Sequence, residues 1–224
     1  GVLELKRSLV DVSEGIRQNL DNQKKDFIRN FFSTIQLVMA GNDTQGLRYG
    51  MIETPEKYYL EWKEELNHVE GHKLDYHLGR MCNKQRFLQI IHDFIVFDAG
   101  VKKTCRHNQF FGIEAAKQRI AKREGGIIWH TQGSGKSLTM VWLAKWIREN
   151  VSDSRVLIVT DRTELDEQIE KVFTGVEEEI YRTKSGADLV ATLNQPTPWL
   201  MCSLVHKFGR SSDVDDDAAT NEFI

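Results

Sequence analysis

Residues 130–137 carry the strongest chemical signal in the chain: His130-Thr131-Gln132-Gly133-Ser134-Gly135-Lys136-Ser137. Glycines at 133 and 135 allow backbone turns that a β-carbon would obstruct. Such a turn aims successive N–H groups inward and makes a nest for anionic oxygens. A helix starting just after it adds the positive end of its dipole. In this pattern Thr131, Gly133, Ser134 and Gly135 form the cradle, Lys136 reaches the β- and γ-phosphates of ATP, and the Ser137 hydroxyl ligates Mg²⁺. The first glycine of the usual eight-residue loop is absent, its position being held by His130.

Other residues near this loop have types suited to nucleotide or phosphate contact. Gln109, in Arg106-His107-Asn108-Gln109-Phe110-Phe111, has an amide able to pair twice with the N6 and N7 edge of adenine. The apolar run Val156–Thr160 ends in Asp161-Arg162-Thr163, and in open parallel sheets such strand ends face the ligand crevice. Thr160 and Arg162 are therefore candidates to hold a phosphate of a nucleic-acid strand. The alternative is a capping loop in which Asp161 or Thr163 satisfies helix N–H groups. Met201-Cys202-Ser203-Leu204-Val205-His206-Lys207 repeats the pattern, with Ser203 or Lys207 placed to touch DNA.

These residues need a scaffold of alternating strands and helices. Gly126–Trp129 is expected as a short apolar strand, 135–148 as a helix and Arg155–Thr160 as a buried parallel strand. A helix over 164–172, a strand over 179–181, a helix over 187–193 and a strand over 199–203 complete a parallel sheet with helices on both faces. The first region, 1–73, opens with a strand over Val2–Lys6 and continues with a helix from Ser13, its expected cap, to about Phe32. A buried strand over Thr34–Ala40, a turn at Gly41-Asn42-Asp43 and a return strand over Leu47–Met51 follow. Residues 74–104 are expected as a connector, with a packed helix carrying Phe87, Leu88, Ile90, Ile91, Phe94, Ile95 and Phe97. Residues 105–224 form the nucleotide-binding region, with a helix over 111–121. The tail from Ser211 to Asn221, with four aspartates, has the composition of a disordered loop.

The whole is an α/β chain of 224 residues with 40% hydrophobic and 28% charged residues, the composition of an ordinary globular protein. Its net charge of −3 gives no overall attraction to DNA, so any nucleic-acid contact must come from local Lys and Arg. Three unspaced cysteines, Cys82, Cys105 and Cys202, suit a reducing cytoplasm. No stretch approaches the ~20 apolar residues that cross a bilayer, and no membrane association is expected. The start, Gly1-Val2-Leu3-Glu4-Leu5-Lys6, lacks an initiator Met and has the character of an internal strand, as in an excised piece or the ordered part of a longer chain. The histidines at 68, 72, 77, 92, 107, 130 and 206 show no ligand spacing and are expected at the surface. Trp62, Tyr58 and Tyr59 are expected in packing rather than base stacking, and Arg48 in a strand-surface ion pair.

Gly126 through Gln168 resembles the motor segment of the restriction subunit (HsdR) of type I restriction–modification enzymes. The run Trp129-His130-Thr131-Gln132-Gly133-Ser134-Gly135-Lys136-Ser137-Leu138-Thr139-Met140 is especially similar. The likeness extends through Ile35–Asp43 and Leu47–Gly50 and covers Glu4 to about Phe208. The altered loop start at His130 is a habit of the superfamily-two helicases to which that motor belongs. The resemblance implies a partial restriction-endonuclease-like α/β domain followed by a first RecA-like motor lobe. It implies ATP-driven translocation on double-stranded DNA, Mg²⁺-dependent cleavage, and partnership with methyltransferase and specificity subunits.

The same resemblance gives Glu4-Leu5-Lys6 a meaning as the second half of an Asp…Glu-x-Lys nuclease signature. Residues two apart on a strand share a face, so Glu4 would bind Mg²⁺ while Lys6 orients the attacking water. Gln18 resembles the family's Gln-x-x-x-Tyr element, a DNA-positioning motif, but Asn22 stands where Tyr is expected. The family's first metal-binding Asp is expected before Glu4, and its Asp-Glu pair after the strand beginning at Phe223-Ile224. Without these and a second motor lobe, residues 1–224 alone are expected to hydrolyse little ATP. Two other readings remain: a superfamily-two remodeller or helicase lacking nuclease activity, and a nucleotide-responsive assembly module without turnover.

Overall fold

The computed structural model describes residues 1–64 and 72–209. The chain is mixed α/β and divides into two compact units: residues 1–97 with 101–128, and residues 98–100 with those from 129 onward.

In the first unit, strand β1 (Val2–Leu5) pairs in parallel with β2 (Val38–Asn42), aligning Glu4 with Ala40. The parallel pairing requires a crossover. Helix α1 (Val12–Asn22) supplies it, followed by the short α2 (Arg29–Ser33). One helix was expected from Ser13 to Phe32; it is instead broken between these two elements. Asp11, not Ser13, is the N-cap of α1, and its carboxylate accepts from the Ser13 amide. Strand β3 (Gly46–Gly50) returns antiparallel to β2, and a 3₁₀ turn over Glu56–Tyr58 leads to β4 (Leu60–Glu61). Every residue of β2 is buried. Residues Thr34–Leu37, expected in that strand, precede it in chain order and are not part of it.

Helices α3 (Lys73–Met81) and α4 (Lys84–Asp93) come next. Asn83 caps α4, accepting from the amides of Gln85 and Arg86. The expected helix through Phe97 stops at Phe94, and the apolar run continues as β5 (Ile95–Asp98), which pairs with β6 (Val101–Thr104). Ala99 and Gly100 both take positive φ, 49° and 79°. That is the conformation of a two-residue hairpin turn, so the connector contains a hairpin beside its helices. Helix α5 (His107–Ala121) ends the unit.

The core gathers around Trp62, fully buried, whose ring lies 6.0 Å from Tyr49, 5.6 Å from Phe110 and 5.9 Å from Phe111. The Tyr49 hydroxyl donates to the Cys105 carbonyl at 2.8 Å. Burial raises the Tyr49 phenol well above its usual range. Arg48 pairs across the strands with Glu61 at 3.2 Å, as expected. His77 corrects the expectation that all histidines lie outside. It is 2% exposed, on the same α3 face as Leu74 and Met81, and desolvation lowers its pKa. His68 lies outside the described residues.

The second unit holds α6 (Lys136–Asn150), β7 (Val156–Thr160), α7 (Thr163–Gly175), β8 (Tyr181–Arg182), α8 (Gly186–Leu193), β9 (Leu200–Leu204) and a final 3₁₀ turn over Val205–Phe208. The strands form a parallel sheet in the order β7-β9-β8. The central β9 is buried throughout, as suits a strand that is apolar but for Ser203 and is flanked on both sides. Arg155 closes the end of α8, its guanidinium donating to the carbonyls of Leu193 at 2.7 Å and Thr192 at 2.9 Å.

The strand expected over Gly126–Trp129 is not formed: residues 124–131 belong to no helix or strand, and Ile127 and Trp129 are 88% and 89% exposed. A strand needs a neighbour to accept its backbone hydrogen bonds. Among the described residues the parallel sheet consists of β7, β9 and β8 alone. The acidic tail and Phe223-Ile224 lie outside the described residues.

Candidate functional site

The loop at 130–137 has the backbone that its glycines suggested. Gly133 and Gly135 take positive φ, 75° and 86°, and Gly135 is the N-cap of α6. A side chain at either position would be strained, since non-glycine residues pay roughly 1–2 kcal/mol in this region. Ser134 is buried and pins the turn, its hydroxyl donating to the Thr131 carbonyl at 2.7 Å and its amide to the same oxygen at 3.3 Å. Thr139, one turn into α6, donates from its hydroxyl to the Gly135 carbonyl at 3.3 Å.

Lys136 is exposed and folds back over the loop. Its ammonium donates to the carbonyls of His130 at 3.0 Å and Thr131 at 3.1 Å. Both partners are neutral oxygens. A phosphate oxygen would make a stronger, charge-assisted contact with the same ammonium. Ser137 is half-buried in the first turn of α6. An exposed Lys beside a positive-φ turn, with a hydroxyl on the next residue and a helix N-terminus behind, suits a Mg²⁺-bound triphosphate.

Gln109 does not precede its helix. It lies in the first turn of α5, 2% exposed, and its side-chain oxygen accepts from the Arg106 amide at 2.8 Å. The helix begins at His107, four residues earlier than periodicity suggested, so one acceptor of Gln109 serves the helix start.

The ends of the parallel strands hold a polar cluster. Thr160, buried at the end of β7, contacts Asp166 at 3.5 Å. Asp166 is fully buried in α7 and receives a hydrogen bond from Arg182 on β8, which also lies 3.8 Å from Glu167 and 3.7 Å from Glu170. These contacts raise the Arg182 pKa further, Asp166 contributing most. Arg162 is exposed and 3.6 Å from Asp161. Lys207 donates to the Thr183 carbonyl, and Ser203 is buried, accepting from the Thr183 hydroxyl at 2.9 Å. The sequence reading missed Asp166 and Arg182, because a carboxylate in a helical run of Glu and Asp gives no sign of burial. Replacing Asp166 with Ala is expected to cost about 1–3 kcal/mol, because it removes the one fully buried acceptor of Arg182 and of Thr160 and leaves Arg182 only its longer contacts with Glu167 and Glu170. Denaturant unfolding of the purified chain measures it.

In the first unit the structure brings together three residues distant in sequence. The Lys6 ammonium lies 3.1 Å from the Glu4 carboxylate and donates to the Gln18 side-chain oxygen. Lys6 sits one residue past β1, its amide extending the ladder to the Gly41 carbonyl at 3.0 Å. Gln18 comes from α1, which packs on β1 and β2 and is anchored by Asn19 donating to the Met39 carbonyl at 2.9 Å. Among the described residues there is no group of three or more His, Cys, Asp or Glu placed to hold a metal ion. Glu4 therefore offers one oxygen ligand, and the described residues do not complete a site around it.

Two family models match the chain. One, for the SWI2/SNF2 ATPase, covers residues 108–223, just over half of it. The other, for the type I restriction enzyme R protein N terminus, covers residues 1–57. A putative type I restriction enzyme MjaIXP endonuclease subunit of Methanocaldococcus jannaschii is 32% identical over 62% of this chain and 14% of its own length. The type I restriction enzyme SsaAORF53P endonuclease subunit of Staphylococcus saprophyticus is 24% identical over 96% of this chain and 24% of its own length. The HindI endonuclease subunit of Haemophilus influenzae is 27% identical over 81% of this chain and 19% of its own length. The chain thus spans a quarter or less of these relatives. With a positive-φ glycine turn ahead of α6 in the segment that matches the SWI2/SNF2 ATPase and a Glu4–Lys6–Gln18 cluster in the segment that matches an R-protein N terminus, the chain belongs to the restriction-subunit (HsdR) family of type I restriction–modification enzymes.

Proposed function

We propose that this chain works in ATP-driven translocation of double-stranded DNA coupled to Mg²⁺-dependent endonucleolytic cleavage. It would do so as part of a restriction subunit assembled with methyltransferase and specificity subunits. The observation that carries the reading is the loop at 130–137: two positive-φ glycines, an exposed Lys136 and the start of α6. The second unit is read as the first RecA-like motor lobe, the first unit as nuclease-like.

In this reading the backbone of Gly133, Ser134 and Gly135, with Thr131 beside them, wraps the phosphates, the Ser134 amide turning to them from the Thr131 carbonyl. Lys136 leaves its two carbonyls for the β- and γ-phosphates, and the Ser137 hydroxyl holds Mg²⁺, which supplies charge neutralisation when bound. Gln109 is assigned to adenine selection on its amide chemistry, which can pair with the N6 and N7 edge of the base. Arg162, exposed at the start of α7, contacts backbone phosphates; Thr160 and Lys207 shape that surface, through Asp166 and the Thr183 carbonyl respectively. Such contacts are blind to base sequence and weaken with salt. In the first unit Glu4 gives one oxygen to a divalent ion, Lys6 places its cation at the scissile phosphate, and Gln18 positions both Lys6 and the DNA.

ATP turnover by the full restriction assembly, measured with and without duplex DNA, tests the reading. Stimulation by duplex DNA, falling as salt rises, is the expected outcome. Turnover indifferent to DNA would overturn the motor assignment and favour a nucleotide-responsive assembly module.

A further inference from the structure

The turn between β2 and β3 is tied to the start of α1 by side chains that the proposed chemistry does not use. Asn42 is 1% exposed. Its amide nitrogen donates to the Val10 carbonyl at 2.7 Å and to the Gln45 side-chain oxygen at 3.0 Å. Its own side-chain oxygen accepts from the Gln45 amide at 2.6 Å and the Thr44 hydroxyl at 3.2 Å. Gln45 passes the connection on. Its oxygen accepts from the Val12 amide at 2.7 Å, and its nitrogen donates to Asp11 at 2.9 Å. Asp11 caps α1, and hydrogen bonds from Ser13 first, then from Gln45, pull its carboxyl down to about 2. The loop after Lys6 is fastened as well: the Ser8 hydroxyl donates to Asp43 at 3.2 Å, and the Thr44 hydroxyl to the Ser8 carbonyl at 3.0 Å.

This network ties the start of α1 to the strands it packs on, a few residues before Gly15. A β-carbon at Gly15 would stand 3.2 Å from the Ala40 β-carbon and 3.4 Å from the γ-carbons of both Glu4 and Lys6. The helix thus passes directly beside the two residues on β1 and the strand end. A small slide of α1 moves the Gln18 oxygen away from the Lys6 ammonium. Asn42 and Gln45 bond each other twice and reach three residues, Val10, Asp11 and Val12, at the start of α1.

We propose that Asn42, acting with Gln45 and Asp11, is a positioning residue for strand cleavage: it sets the register of α1 and of the loop after Lys6, and so keeps Gln18, Lys6 and Glu4 together. This inference rests on the cleavage role proposed for those three residues. In the full restriction assembly, acting on a plasmid that the wild type cuts, Asn42→Ala is expected to slow cleavage at saturating DNA by roughly tenfold to a hundredfold, the scale of a misplacement near 1 Å. The DNA concentration for half-maximal cleavage and the DNA-stimulated ATP turnover are expected to change less than about twofold. Gln45→Ala is expected to act in the same direction, and the double variant to be no slower than the slower single one, because the two side chains act as a unit.

Gln45 is only half-buried, so Gln45→Ala carries the expectation if Asn42→Ala does not fold. Glu4→Gln, run alongside, separates the outcomes. If Glu4→Gln abolishes cleavage while the folded Asn42 or Gln45 variants cut at the wild-type rate, the positioning role is wrong. A loss confined to the half-maximal DNA concentration also overturns it. If Glu4→Gln itself cuts normally, the cleavage reading of the first unit falls with it.

Discussion

Lys136→Ala is expected to weaken ATP binding about tenfold to a hundredfold, the worth of a hydrogen bond from a charged donor. ATP turnover is expected to fall further, by roughly a thousandfold, because the same ammonium stabilises charge that develops on the transferred phosphoryl group. The fold tolerates the change. Lys136 is exposed, and its partners are two loop carbonyls that water can satisfy. Thermal unfolding is therefore expected to shift by no more than surface substitutions usually cause, about 0.5 kcal/mol. The measurement is nucleotide affinity by equilibrium titration, followed by turnover in the full assembly. Equal affinity in the variant and the wild type would mean that the loop does not hold a triphosphate.

Glu4→Gln and Lys6→Ala are expected to separate cleavage from motion. Each should lower the rate of nicking and linearisation of supercoiled DNA by about a hundredfold or more, the usual loss on removing one electrostatic contact from a reacting centre. ATP turnover should persist in both. Glu4→Gln is the sharper change: the amide keeps the shape and can still accept from Lys6, but the negative charge that would draw a cation is gone. Lys6→Ala removes the partner of both Glu4 and Gln18, which lie on a partly exposed surface, so the expected cost in stability is small. Wild-type cleavage by either variant would reduce the Glu4–Lys6 pair to an ordinary ion pair on a strand face.

Much of the candidate phosphate site was legible because its requirements are local. A positive-φ turn asks for glycine, an anion asks for backbone amides and a cation, and all of these fall within residues 130–137. The alternation of apolar strands and periodic helices in the second unit was equally plain, and β7, α7, α8 and β9 stand close to where it put them. The hairpin at Asp98-Ala99-Gly100 was hidden because an apolar run of helical spacing continues smoothly into a strand. Only the two positive-φ residues break it. His77 was misjudged because a lone imidazole at helical spacing gives no sign of which way the helix turns.

Strand status for Gly126–Trp129 could not be settled by apolar character, since a strand exists only where a neighbour accepts its hydrogen bonds. The approach of Gln18 to Lys6, twelve residues apart, depends on how α1 lies across β1, and Asn42 at the end of β2 and Gln45 in the turn after it set that from still further along the chain. By itself, then, the sequence determined the glycine turns at 133 and 135 and the order of strands and helices from β7 to β9, because backbone preference and side-chain type act over a few residues. Tertiary structure alone decided which carboxylates are buried, which glutamine caps a helix and which meets a lysine, because burial and long-range hydrogen bonds exist only once the elements are packed.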